Sequence, residues 1–258
     1  MKKLNIKKIG IAVLWIIGLS GLLTSLAFVS KKEKAVIAGN LTVTILNTDE
    51  NSFIDEQDVK EFFKERKDSI LKAQLGSIQV SDLEKALNSH PAIENAEVAV
   101  DINGDVTMNV TQRTPVVRVF TGEGESYYID TQSKLMPLND SYTARVLIAT
   151  GAINEPFAKR YAMPVKDITK NEALSKVSVL DDIYTLSTYI ASDSVLTSLI
   201  HQINVTNDKE IELYPSIGDH TIVFGEVKDL KEKFDKLKLF YTEGLNKTDG
   251  VFVPAVCF

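Results

Sequence analysis

The sequence contains very little of the chemistry on which most active sites are built. Among its 258 residues there is one cysteine, Cys257, and there are three histidines, His90, His201 and His220. One cysteine excludes a disulfide within the chain and a zinc site of four cysteines. The histidines lie far apart, so none has the short paired spacing of a helical zinc site. We therefore predict no metal, no other cofactor and no catalytic histidine.

Motifs for nucleotide binding and acid–base catalysis are also lacking. Gly122-Glu123-Gly124 lacks the third glycine of a dinucleotide-binding loop, and we interpret it as a hairpin turn. The adjacent Asp181 and Asp182 point about 100° apart on a helix, so they do not form a facing carboxylate pair. We interpret them as acidic residues that complement the helix dipole in the first turn. The sequence thus indicates a protein that is not an enzyme.

The formal net charge of −6 conceals two parts of opposite charge. Residues 1–34 contain seven lysines and one glutamate, which leaves residues 35–258 with a net charge of −12. A part this acidic is a poor partner for nucleic acid or for an anionic lipid surface. The lysines of the segment 227–243 are interleaved with acidic residues, so we interpret them as a solvated helix face. We predict no nucleic-acid partner.

The longest uncharged segment lies near the beginning of the chain. Residues 9–29 are 21 residues without a charged side chain. A helix of this length crosses a hydrocarbon core of about 30 Å. We therefore predict a transmembrane helix at 9–29 that contacts the lipid bilayer, with Ile9, Trp15 and Phe28 among the anchoring residues.

The orientation of this anchor follows more from the size of the flanking segments than from their charge. Four lysines precede the apolar segment and three follow it, which is a weak asymmetry. Residues 1–8 are too few to fold, so we predict them as a cytoplasmic head, with 30–40 as a linker to domains outside the membrane. A cleaved signal peptide, with Ser25 and Ala27 as its small residues, is the alternative. Its apolar core is usually only about 7–15 residues long.

The residues after the linker show the pattern of a strand followed by a helix. Leu41–Leu46 has the composition of a strand. Phe53–Val59 opens a helix whose apolar side carries Val59, Phe62 and Phe63. We predict a loop around Gly76 between this helix and the next one.

A second helix and a hairpin complete this part of the chain. We predict that Ser81 caps the helix and that Pro91 stops it. The strands Ala96–Asp101 and Asp105–Val110 meet across Asn103-Gly104, which is a strong signal for a short hairpin. The resulting order is strand, helix, helix, strand, strand. The patterns predict that Ile93 and Val98 face inward, near three further apolar residues: Val43, Ile45 and Phe62.

Residues 115–258 are predicted as a second, β-rich domain. Two helices are expected, one near Asp181–Ser192 and a clearly amphipathic one at 227–243. Six runs read as strands, namely Val116–Phe120, Ser126–Asp130, Arg145–Thr150, His201–Thr206, Glu210–Tyr214 and His220–Phe224. The fold class is therefore α+β, with a transmembrane helix, a β-α-α-β-β domain at 41–114 and a β-rich mixed domain that carries a C-terminal amphipathic helix.

Five stretches of the sequence, together with the apolar anchor, resemble one known family. They are Phe53–Val59, His90–Val98, Gln112–Val117, Tyr127–Asp130 and Lys134–Leu138. In this order, and after one membrane helix, they resemble the bacterial cell division proteins FtsQ and DivIB. The resemblance covers nearly the whole chain. It implies that 41–114 is a POTRA domain and that 115–258 is the β domain of that family.

The resemblance implies a scaffold of the divisome and not a catalyst. FtsQ-like proteins cross the inner membrane once at the division site and keep their large domains on the extracytoplasmic side. They bind the small coiled-coil proteins FtsB and FtsL, with other divisome components, to support septum formation. The residues alone leave alternatives open. These are an extracytoplasmic POTRA-type binding or assembly module unrelated to division, a secreted enzyme, and a generic extracytoplasmic sensor.

The partner-binding edge implied by the resemblance lies near the end of the chain. An exposed sheet edge offers unpaired backbone groups, to which a partner segment adds as a strand. The last segment here is more apolar than the polar final strand of FtsQ-like proteins. Pro254 cannot donate a ladder hydrogen bond, so we expect it at a sheet edge or at the point where pairing ends. We predict the edge at a strand and a short tail strand beside it, with the residues His220, Ile222, Phe224, Val251, Phe252 and Val253.

Overall fold

The computed structural model divides the chain into two compact units, each with its own cluster of buried apolar side chains. The first unit comprises Met1–Asn47 and Ile54–Thr111, and the second comprises Thr48–Phe53 and Gln112–Phe258. The structure describes residues 15–25, 40–48, 52–65, 79–155, 157, 164–170, 178–244 and 255–257.

Residues 15–25 form a helix, α1, inside the segment predicted to be a membrane anchor. Its apolar side chains are exposed, with Trp15 at 68% and Leu22 at 62% of their full accessible area. Within the part of the chain that the structure describes, no helix is both long enough and apolar enough to span a membrane. Ile9 and Phe28, which the sequence also assigned to the anchor, lie outside the described residues.

After α1, the described residues of the first unit form one three-stranded sheet and two helices. The sheet order is β1-β3-β2, with β1 parallel to β3 and Leu41 opposite Val106. The central strand is therefore β3, and β1 and β2 are the edges. The predicted order of strand, helix, helix, strand, strand is confirmed by β1 (Leu41–Leu46), α2 (Glu56–Glu65), α3 (Val80–Asn88), β2 (Ile93–Val100) and β3 (Val106–Gln112).

The turn between β2 and β3 shows why Asn103-Gly104 predicted a hairpin. Asp101 Oδ1 accepts hydrogen bonds from the backbone N–H groups of Asn103 and Asp105, each at 2.9 Å. Gly104 has a φ of 93°, a conformation that costs glycine little because it has no Cβ. The hydrogen bond from Asp105 is the main cause that lowers the pKa of Asp101, because it favours the charged carboxylate.

The core of the first unit confirms the predicted side-chain directions in the hairpin. Ile93 and Val98 are buried in one cluster with Val43. Ile45 and Phe62 are partly buried and pack against the same cluster. The strand pattern therefore placed the inward-facing residues correctly.

The start of α3 differs from the sequence prediction. The helix begins at Val80, and Gln79 occupies the N-cap position. The N–H groups of Asp82 and Leu83 both donate to the Gln79 carbonyl, at 3.0 and 3.2 Å. Ser81 thus lies inside the first turn, and the prediction that it caps the helix is wrong. Val80 packs against the core cluster, which accounts for the earlier start.

The second unit contains an eight-stranded sheet in the order β11-β10-β9-β8-β7-β4-β5-β6. The pairs β4–β7, β7–β8 and β10–β11 are parallel. Its elements are β4 (Pro115–Phe120), β5 (Ser126–Asp130), β6 (Leu135–Met136), β7 (Leu147–Gly151), a 3₁₀ helix (Val165–Lys170), α4 (Leu180–Ala191), α5 (Ser194–Leu199), β8 (Ile200–Val205), β9 (Ile211–Pro215), β10 (Thr221–Gly225), α6 (Leu230–Leu239), a π-helical turn (Phe240–Gly244) and β11 (Ala255–Cys257).

Most of these elements match the prediction, and the differences have physical causes. The six predicted strands are present, with ends shifted by two residues or fewer. The strand β6 and the helix α5 were not predicted, because they are too short to show a periodic pattern. The last helix was predicted over 227–243, but its regular part is Leu230–Leu239 and the chain continues as the π-helical turn.

Helices α4 and α6 supply much of the core of the second unit. Ile183, Leu186 and Ile190 of α4 lie in the same buried cluster as Phe234 and Leu237 of α6. Alternate residues of the strands contribute to this cluster, as expected for a sheet with one face packed against helices. The last helix is therefore fixed to the sheet close to β10.

Candidate partner-binding edge

The three histidines do not form a catalytic group in the described residues. His90 follows α3, where its ring lies 5.6 Å from that of Phe62 and burial lowers its pKa. His201 is exposed on β8, whereas His220, just before β10, is only 7% exposed. Within the described ranges, no group of three or more His, Cys, Asp or Glu side chains has a geometry that would hold a metal ion.

His201 and His220 are nevertheless brought to one shallow hollow of about 370 Å³, which Tyr214 and Gly218 also line. Gly218 has a φ of 86°, and a Cβ at this position would come within 2.8 Å of the His220 ring. A glycine is therefore required by both the backbone conformation and the close approach. The turn before β10 is shaped around the His220 ring, which indicates a packing role for this histidine.

Asp181 and Asp182 lie in the first turn of α4, as the sequence predicted. Burial is the main cause that raises the pKa of both carboxyl groups. The charge of Asp181 adds to this effect on Asp182, and the charge of Glu155 adds to it on Asp181. Desolvation at the start of a helix therefore dominates the pKa of both carboxyl groups.

A buried ion pair joins two of the stretches that resemble FtsQ and DivIB. Arg113 Nη1 lies 2.6 Å from Asp130 Oδ2, and the two side chains are 8% and 1% exposed. Asp130 Oδ1 also accepts hydrogen bonds from the N–H groups of Gln132 and Lys134. Because the carboxylate is fully engaged, Asp130 has a structural role here: it fixes the segment before β4 to the end of β5.

The terminal edge of the second sheet, which we define as β10 with β11, is the candidate site for a partner strand. The three residues of β11 run parallel to β10, with Ala255 opposite Thr221 and Cys257 opposite Val223. In the described part of the chain, no strand lies on the far side of β11. The backbone groups on that side are placed to pair with an added strand.

The residues predicted for this edge take different positions in the structure. The side chains of Ile222 and Phe224 are 0% and 1% exposed and belong to the core, and His220 is also buried. They can therefore contribute to strand addition only through the backbone. Val251, Phe252 and Val253 lie outside the described residues. The strand that the structure describes in the tail is Ala255–Cys257, directly after Pro254.

The helix α6 is fixed to β10 by contacts that the sequence did not reveal. Lys233 Nζ donates to the carbonyl oxygens of Phe224 and Glu226, at 2.7 and 2.8 Å, and lies 4.7 Å from the centre of the Phe224 ring. Phe234 stacks 5.1 Å from Tyr189 and lies 5.0 Å from Phe224. The interpretation of every lysine of this helix as part of a solvated face is therefore wrong for Lys233.

Lys238 is a second exception to the solvated face, because it pairs with Asp193 at the N-terminus of α5. The other lysines behave as predicted. Lys231 pairs with Asp235 and Lys236 pairs with Glu232 on the exposed side of α6. Such exposed pairs contribute little to stability.

The π-helical turn after α6 is tied to the start of β10. His220 Nε2 and Tyr241 Oη share a hydrogen bond of 2.6 Å. Burial raises the pKa of Tyr241 to about 12 and lowers the pKa of His220. Both groups are therefore neutral at pH 7, and their bond holds the residues that precede the tail close to the terminal edge.

Two family models match this chain. The family model described as FtsQ/DivIB, C-terminal related, matches residues 114–250, which is more than half of the chain. The chain belongs to the FtsQ/DivIB family. A second model, described as a POTRA-like domain, matches residues 37–111, which include the sheet strands β1 to β3 and the helices α2 and α3 of the first unit. The resemblance inferred from the five sequence stretches is confirmed. Among curated proteins, none matches this sequence.

The two matched families narrow the class of function. Both are scaffold-type families without catalytic activity, and the FtsQ/DivIB match relates the chain to cell division. The sheet edge at β10 and β11 offers backbone groups, and β11 also carries the exposed free cysteine Cys257. The two matches suggest a division-related scaffold.

Proposed function

We propose that this chain is a non-enzymatic scaffold of the bacterial divisome. In this proposal it is anchored in the inner membrane by one helix and holds FtsB- and FtsL-type coiled-coil proteins on the extracytoplasmic side at the division site. The observation that supports this most strongly is the order of a POTRA-like unit and an FtsQ/DivIB-related unit in one chain. The predicted domains, 41–114 and 115–258, correspond to these two units in this proposal.

The proposed anchor is the uncharged segment 9–29. Its described part, α1, is helical and exposes apolar side chains such as Trp15 and Leu22. An exposed apolar helix of this kind is stable when lipid covers it. We place residues 1–8 in the cytoplasm, because the folded units follow the anchor and long domains are translocated largely regardless of their charge.

The proposed partner site is the terminal edge of the second unit. A strand of the partner would add to β11, or to β10 where the tail does not cover it, through backbone hydrogen bonds. The core positions of Ile222 and Phe224 support a backbone mode of capture, since their side chains are not available to a partner. The tail residues Val251–Val253 remain part of the proposed contact region.

The scaffold proposal predicts that division depends on the chain but on none of its histidines. Depletion of the protein from its host should produce filamentous cells without septa. A copy in which His90, His201 and His220 are all replaced by Gln should restore septa, because Gln keeps a hydrogen-bonding group at each position but no titratable one. Cell length and the position of a fluorescent fusion are the measurements, with the folded state of the variant checked by circular dichroism.

Two results would contradict this prediction. A triple variant that folds and reaches the division site, yet fails to restore septa, would indicate histidine chemistry. Normal division after depletion would favour an extracytoplasmic POTRA-type module unrelated to division.

A further inference from the structure

The edge strand β2 of the first unit does not expose all of its outward backbone groups to solvent. It is the outer strand of the sheet β1-β3-β2 and is joined to β3 by the hairpin turn. An edge strand normally presents a row of unpaired N–H and C=O groups, to which another chain can add. With eight residues, β2 is the longest strand of this unit and would offer the most extensive template.

Two side chains of α3 accept hydrogen bonds from two outward N–H groups of β2. Asn88 Oδ1 accepts a hydrogen bond from the Ala96 N–H at 2.9 Å. Glu84 Oε1 accepts one from the Val98 N–H at 3.1 Å. These N–H groups belong to residues two apart, so they point to the same side of the strand.

The spacing of these two pairs follows from the geometry of the two elements. Positions four apart on a helix lie on one face and are separated by about 6 Å along the axis. Positions two apart on a strand are separated by about 6.6 Å. The acceptor groups of Glu84 and Asn88 therefore have nearly the same spacing as the N–H groups of the strand edge, as the acceptors of a neighbouring strand would.

The core holds the helix in the position that this match requires. Leu87 is fully buried, and Leu83 packs partly against the same cluster. Ala96 and Val98 of β2 are also in that cluster. Because these buried residues hold α3 and β2 together, the side chains of Glu84 and Asn88 stay beside the strand edge.

We propose that Glu84 and Asn88 close the β2 edge to strand addition, and that the strand they exclude is β2 of a second copy of this chain. Two identical edges can pair about a two-fold axis and form a closed dimer, which makes a second copy the natural occupant of an opened edge. This proposal does not depend on the divisome assignment. It directs a strand partner of the intact protein away from β2.

The test compares two double variants of the full-length chain, purified in detergent micelles. Glu84→Met with Asn88→Leu removes both acceptor oxygens but keeps similar side-chain volumes. Glu84→Gln with Asn88→Asp keeps both acceptors and the net charge, and serves as the matched control. Hydrogen exchange with single-residue resolution and analytical ultracentrifugation are the two measurements.

At protein concentrations that keep the variant without acceptors monomeric, we expect the amides of Ala96 and Val98 to exchange about tenfold faster, as for loss of one hydrogen bond each. We also expect a dimer whose fraction rises with protein concentration. The control should match the parent in both respects. Unchanged exchange would overturn the closure of the edge, and faster exchange in a protein that stays monomeric would overturn the second copy as occupant.

Single variants keep the test decisive if the double variant fails to fold. Glu84→Met should accelerate exchange at Val98 alone, and Asn88→Leu should accelerate it at Ala96 alone. A general structural loosening of the unit would instead accelerate both amides together in either variant, and that result would contradict the proposal.

Discussion

Arg113→Leu is expected to lower the free energy of unfolding of the second unit by about 3–5 kcal/mol, because it leaves a buried carboxylate without its partner. Asp130 is 1% exposed, so water cannot replace the lost guanidinium contact. Hydrogen exchange of amides in β4 and β5 of the full-length chain measures the loss separately from the first unit. Rates there should rise on the order of a hundredfold or more.

Two further variants make this result specific. Adding Asp130→Asn to Arg113→Leu should recover part of the loss, since the side chain left behind is then neutral. Arg145→Leu, at an exposed arginine of the same unit, should change stability by less than about 0.5 kcal/mol. Equal exchange rates in the parent and in Arg113→Leu would show that the ion pair does not support the fold.

Ile93→Asp is expected to destabilise the first unit by about 4 kcal/mol or more, because it places an unpaired charge in the core. Ile93 is 1% exposed and lies in the buried cluster. Amides of β2 and β3 should lose their protection against exchange, whereas those of the second unit's core should keep it. The measurement is again hydrogen exchange on the full-length chain.

Ile102→Asp is the matched control for this variant. It makes the same chemical change in the same unit, but Ile102 lies in the hairpin turn and is 81% exposed. Its effect should be within about 0.5 kcal/mol. If both aspartate variants were as stable as the parent, the core assignment of β2 would be wrong.

The elements with a strong local pattern could be predicted from the sequence. The hairpin was predicted because Asn103-Gly104 determines the turn, and Gly104 takes the positive φ that this turn requires. The helix α4 was predicted because Ile183, Leu186 and Ile190 recur at helical spacing and face the core. In such segments the local spacing of apolar residues determines both the type of element and the face that is buried.

The details that depend on distant partners could not be predicted in this way. Lys233 looks like its neighbours in sequence, and only the end of β10 beside it reveals that it binds two carbonyl groups. The bonds from Asn88 and Glu84 to β2 likewise join residues of two different elements. Ser81 looked like a helix cap, but the contact of Val80 with the core decides where the helix begins.

The candidate site was predicted at the level of the strand but not of the side chains. The sequence located a strand beginning near His220, and the structure places β10 there beside a strand of the tail. The sequence did not distinguish the two faces of that strand. Ile222 and Phe224 were therefore predicted as partner-binding residues, although their side chains are buried. A sheet edge that binds through its backbone is difficult to recognise in a sequence, because pairing requires N–H and C=O groups that nearly every residue has.

The affinity of an FtsB-type partner for variants of the tail tests the central claim most directly. The full-length chain in detergent would be compared with Phe252→Pro, with Val256→Pro and with deletion of residues 251–258, using Val256→Ala as a control that keeps the backbone donor. We predict that the deletion and at least one proline variant weaken binding by about tenfold or more, because proline removes an N–H group. Val256→Ala should bind like the parent. Equal affinity in all five proteins would contradict capture at the terminal edge.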